Sequence, residues 1–166
     1  MQDALNKQIN EELGSSYIYL AMQAFFDKLG LEVFSKWMQT QVQEEIFHAT
    51  NFYQHIVQRG GDVELFEIKK PEGNWQTVLD AFNDALKHEQ HITKCINDLV
   101  DLAESEKDHA TRSFLQWFVD EQVEEEDNVG GVVDKLKMAK DNSNSLLMLD
   151  KELAQRQPLF TMPQNE

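Results

Sequence analysis

Residues 34–56 read FSKWMQTQVQEEIFHATNFYQHI. At helical spacing, Phe34, Met38, Gln41, Glu45, His48, Phe52 and Ile56 fall on one face. That face is apolar at both ends and broken in the middle by a carboxylate and an imidazole. The pattern predicts an amphipathic helix that carries Glu45 and His48 into the interior along with its phenylalanines. Two later stretches share the design: Leu79, Phe82, Leu86, Glu89, Thr93, Ile96 and Val100, then Phe114, Phe118, Gln122, Glu125, Val129, Val132 and Leu136. The first stretch is less regular, but Leu5, Ile9, Glu12, Tyr19 and Phe26 share a face.

Four long helices are predicted, at about residues 3–29, 31–59, 75–104 and 108–140. Gly30 separates the first pair and the polar stretch 104–108 the second. Between the pairs lies 60–74, which holds Gly60, Gly61, Pro71 and Gly73. Helices of this length span about 42 Å, and roughly 15 extended residues reach about 50 Å. The linker can therefore run the length of a bundle and make the second and third helices parallel, while the short turns make each hairpin antiparallel. The expected fold is all-α: a four-helix bundle with a long crossover between helices 2 and 3, forming a single domain over 1–166 with the bundle at about 3–140. A short fifth C-terminal helix is expected at about 145–156, followed by a tail over 157–166.

The polar breaks repeat. Glu45 and His48 lie 33 and 36 residues after Glu12; Gln122 and Glu125 lie 33 and 36 residues after Glu89. The midpoint of Glu12 and His48 is Gly30, and that of Glu89 and Glu125 is Lys107, both in the expected turns. In an antiparallel hairpin, residues equidistant from the turn sit at one depth. Each hairpin therefore presents a carboxylate opposite an i, i+3 pair of ligand-type side chains. Two ionised carboxylates about 5 Å apart repel by roughly 3 kcal/mol at an effective dielectric near 20, before desolvation. No Lys or Arg shares these stripes near that level. Two divalent cations would balance four carboxylates, and mostly oxygen ligands with one imidazole suit iron or manganese better than structural zinc.

At this point the chain resembles the non-haem ferritins of bacteria and archaea. The matching stretches are LNKQINEEL (5–13), QEEIFHA (43–49), KHEQHIT (87–93), FLQWFVDEQVEEE (114–126) and DKEL (150–153). The resemblance implies a ferritin-like bundle with a di-iron ferroxidase centre. One iron would be held by Glu12, Glu45 and His48, the other by Glu89, Gln122 and Glu125, with Glu45 bridging. It implies a third metal position formed by Glu44, Glu121 and Glu124, with Glu125 shared. It also implies a tyrosine near the centre, Tyr19, that supplies an electron, and an aromatic at Trp117 for which packing is the simpler role. The implied activity is oxidation of Fe(II) by dioxygen (or hydrogen peroxide) and storage of ferric oxyhydroxide in a homo-oligomeric shell of 24 subunits. One departure is Gly14, in EELGSS, where relatives commonly carry a larger residue; one explanation is that it eases packing against a neighbour.

Other function classes fit less well. A net charge of −15 disfavours nucleic acid as a partner. No apolar run approaches a membrane span, and the start lacks the features of a signal peptide. A single cysteine, Cys95, excludes the four-cysteine module of a rubrerythrin-like peroxidase and makes a reducing cytoplasm the expected compartment. A bacterioferritin would carry Met after the bridging glutamate and two Glu-x-x-His pairs; here Ile46 follows Glu45 and one such pair is present, so no haem is expected. Another di-iron oxidoreductase and a metal-free helical interaction module are the remaining alternatives. His55, His88, His91 and His109 are expected to be surface or packing residues.

Overall fold

The structure is a computed structural model, which describes residues 1–139 together with Leu146, Leu149 and Leu153. Four helices dominate it: α1 (Gln2–Leu29), α2 (Glu32–Gln58), α3 (Val78–Ser105) and α4 (His109–Ala139). None is long and apolar enough to cross a membrane.

The turns follow from local chemistry. Gly30 adopts φ 71°; its N–H donates to Asp27 O, and the N–H of Leu31 donates to Phe26 O. This pair of bonds closes α1 and satisfies two carbonyls that the helix leaves over. Lys107, at φ 57°, ends α3 in the same way: its own N–H and that of Asp108 donate to Glu104 O and Ala103 O. A side chain in that left-handed region is disfavoured by roughly 1 kcal/mol, which the closing bonds offset. Helix α3 starts three residues later than the pattern predicts. Thr77 caps it: its side chain accepts from Asp80 N, and the Asp80 carboxylate accepts from Thr77 N.

The crossover runs as the linker length requires. At its start Asn6 Nδ2 donates to Asp62 O and Glu64 N donates to Asn6 Oδ1, which ties the chain to the beginning of α1. At its end the Trp75 ring meets Phe25 at 5.8 Å, near the end of α1. Asn6 and Phe25 are 19 residues apart on one helix, about 28 Å. Helix α3 thus begins beside the start of α2 and runs parallel to it.

The apolar stripes close into two separate cores. One holds Phe26, Phe34, Phe82, Val129 and Leu136; the other holds Ile9, Phe52, Ile56, Ile96 and Leu115. Between them lies a buried polar layer. The expected fifth helix falls almost wholly outside the described residues; of it, Leu146, Leu149 and Leu153 are helical and pack against the first core.

Candidate metal centre

Each helix contributes to the layer. Glu12 comes from α1, Glu45 and His48 from α2, Glu89 from α3, and Gln122 and Glu125 from α4. Their exposures run from 1% for Glu12 and Glu89 to 5% for Gln122, so water screens none of them. Among the described residues no Lys or Arg is buried. The six residues expected from spacing and resemblance are thus all interior.

The layer is joined across helices. Ligand atoms of Glu12, Glu45 and His48 lie within 4.8 Å of one another. Gln122 Nε2 donates to Glu89 Oε2 at 3.2 Å, which joins the second hairpin's pair. Gln41 Nε2 donates to Glu125 Oε2 at 2.9 Å, which links the two hairpins, and the Tyr19 hydroxyl donates to Glu89 Oε1. Gln8 Nε2 donates to Glu12 Oε1 at 2.9 Å from one turn earlier in α1. Gln8 and Gln41 are members of the layer that motif reading did not assign, although Gln41 falls on the α2 stripe and Gln8 lies at i−4 from Glu12.

Donors run short. Glu12 Oε2 and Glu45 Oε2 are buried without a hydrogen bond; His48 Nδ1 stands 3.4 Å from the latter without forming one. An unpartnered buried carboxylate oxygen costs several kcal/mol unless it is protonated or meets a cation. The electrostatics agree. Burial, and then the neighbouring Glu45, push Glu12 up to about 8. Burial, and then Glu125, push Glu89 up to about 7. Glu45 is held well above the ordinary carboxylate range by burial and by Glu89 and Glu125. Burial and Glu89 raise the Tyr19 phenol well above its usual value. Without a cation, the layer must hold protons at neutral pH.

The residues expected at a third metal position are placed differently. Glu44 and Glu121 are half-buried and Glu124 is exposed. The trios whose ligand atoms lie within 4.8 Å of one another, among the described residues, are Glu12–Glu45–His48 and Glu11–His91–Cys95, and Glu44, Glu121 and Glu124 belong to neither. Trp117 meets His48 edge-on at 5.4 Å and Phe118 at 4.8 Å, so it packs against the layer's imidazole while remaining partly exposed. Gly14 shows no close neighbour within the protomer: a Cβ built there meets nothing within 4 Å, so no packing inside this chain calls for a glycine there. His55 is buried, stacked on Phe114 at 4.1 Å and bonded to Thr111 Oγ1.

A bundle whose four helices carry four carboxylates, an imidazole and three amides into one buried layer has the architecture of the ferritin-like carboxylate proteins. The Ferritin-like domain family model matches residues 2–139, and the chain belongs to that family. It is 42% identical to the bacterial non-heme ferritin of Bacteroides fragilis, over 94% of this chain and 97% of that one. It is likewise 42% identical to that of Staphylococcus saprophyticus, over 93% and 92%. The open pore ferritin of the hyperthermophilic archaeon Archaeoglobus fulgidus superposes with a TM-score of 0.92 at 46% identity, covering 95% of this chain and 96% of that one.

Proposed function

We propose that the protein is a non-haem iron-storage ferritin that oxidises Fe(II) with dioxygen at the central layer and stores the ferric product. The observation that carries this is the pair of unpartnered carboxylate oxygens, Glu12 Oε2 and Glu45 Oε2, inside a layer with no buried Lys or Arg among the described residues. Iron is substrate and cargo here. Glu12, Glu45 and His48 would hold one ion, and Glu89, Gln122 and Glu125 the other. Glu45 is the natural bridge, because the charges of Glu89 and Glu125 from the other hairpin already bear on it. Two ferrous ions give up one electron each and dioxygen takes the pair. The protein's part is positioning: two rigid hairpins fix the ligands, and the flanking apolar cores keep bulk water out.

Protons matter as much as ligands. Glu12 and Glu89 titrate near neutrality, so loading two cations releases protons that the layer would otherwise hold. The hydroxyl of Tyr19 lies on Glu89, within reach of the site for one-electron transfer. Assembly as a homo-oligomeric shell of 24 subunits is supported by apolar side chains that this protomer leaves exposed, including Tyr17, Leu20 and Tyr53 on the helices and Leu65, Phe66 and Ile68 on the crossover. A reducing cytoplasm suits a chain whose single cysteine is a free thiol.

Aerobic titration with Fe(II), followed by absorbance of the ferric product, tests the proposal. A storage protein oxidises many ions per subunit. A dedicated di-iron enzyme saturates near two, and a metal-free scaffold oxidises none above the uncatalysed rate; either result rejects the reading.

A further inference from the structure

Outside the central layer, the fold brings together three ligand-type side chains that no sequence motif joins. Glu11 lies on α1, while His91 and Cys95 stand one turn apart on α3. Their ligand atoms all lie within 4.8 Å of one another. His91 Nε2 is the common point, 2.9 Å from Glu11 Oε2 and 3.6 Å from Cys95 Sγ. In a tetrahedral zinc site, bonds of about 2.0 Å to nitrogen and oxygen and about 2.3 Å to sulfur set neighbouring ligand atoms about 3.3–3.6 Å apart. The sulfur–nitrogen separation already has that value. The glutamate oxygen needs to retreat by a few tenths of an ångström, which its half-exposed side chain can do by rotation.

We propose that Glu11, His91 and Cys95 form a second metal site, selective for a borderline-soft divalent cation of the zinc type, with water completing the tetrahedron. One thiolate, one imidazole and one carboxylate are a donor set that such ions favour and that magnesium or calcium does not. The central layer, built almost wholly of oxygen donors, has the opposite preference. The two sites therefore sort cations by softness.

Access is open. Glu11 and His91 line a solvent-connected cleft of about 660 Å³ between α1, α3 and the crossover. Asn10 lies on the same wall, and its Oδ1 is buried with no hydrogen-bond partner, a polar group that solvent or a hydrated ion in the cleft would satisfy. The site also joins elements from different hairpins, α1 from the first and α3 from the second. A bound ion would thus clip the hairpins together from outside, independently of the interior layer.

Titration of the assembled, metal-stripped protein with Co²⁺ under reducing, oxygen-free conditions tests the proposal. Thiolate ligation gives a sulfur-to-cobalt charge-transfer band in the near ultraviolet, and the six residues of the central layer contain no sulfur, so the band reports on this site alone. The expected result is a band that saturates at one Co²⁺ per subunit and is bleached by added Zn²⁺. It should be abolished by Cys95→Ser, and its midpoint should move at least tenfold to higher cobalt in His91→Ala. Cys95→Ser should oxidise iron at an unchanged initial rate, which shows that the fold and the interior layer are intact. Absence of the band in the unmodified protein overturns the proposal. So does a band whose midpoint His91→Ala leaves unmoved, because that is cobalt on an isolated thiol.

Discussion

Glu45 carries a heavy electrostatic load: burial acts against its charge, and Glu89 and Glu125 add to the effect. Replacing it with alanine removes the carboxylate proposed as the bridge, and Glu45→Ala should slow the initial fast phase of iron oxidation at least tenfold in stopped-flow absorbance; an unchanged rate would reject the assignment. Tyr19→Phe removes one hydrogen bond to Glu89, worth about 1 kcal/mol. The expected result is a folded protein that still takes up iron but oxidises it several-fold more slowly, and a wild-type rate would leave Tyr19 as core packing. The six interior residues proposed as ligands were legible in the sequence because their spacing repeats about two turns of chain. Glu11, His91 and Cys95 were not, since their contact joins positions 80 residues apart and depends on how one hairpin lies on the other. On sequence alone His91 belongs with surface residues; Cys95 follows it by one helical turn, but its Glu11 partner exists only in three dimensions.

At the scale of elements, helix boundaries are decided by capping. Trp75 and Gln76 fit the α3 pattern, yet the reciprocal Thr77–Asp80 bonds stop the helix at Thr77. Periodicity counts apolar positions and is blind to which side chain accepts from the first free N–H groups. Thr77→Ala should therefore lower stability by about 1 kcal/mol, visible as faster amide exchange over the first turn of α3. Gly14 offers the opposite case. It sits in the interior of α1 with open space where a Cβ would be. Gly14→Ala should stabilise the helix by roughly 0.5–1 kcal/mol and raise the thermal midpoint; a lower midpoint would mean that the space is filled by another subunit.

For the whole molecule, the buried carboxylates couple stability to pH. Glu12 titrates at 4.5 in an unfolded chain but near 8 in the fold. Between those values the folded state holds a proton that the unfolded state has released, so stability falls as pH rises through that window. The loss from Glu12 alone is on the order of 5 kcal/mol at the alkaline end. Metal-free protein should therefore melt at a lower temperature at pH 8 than at pH 5.5. A divalent cation should reverse the loss, and Glu12→Gln should flatten the profile. The parallel course of α2 and α3 was legible from linker length, because 15 residues suffice to travel the bundle. The division of the interior into two aromatic blocks has a mechanical meaning. Each block sets how far apart the backbones stand at its own end, and the layer between inherits its width from both, like the gap of a vice. Phe82 stands two turns from Glu89 and wedges against Phe26, Phe34 and Trp37. Trimming that ring would let the jaw narrow, so the width left for the proposed ions is set in part by phenylalanines.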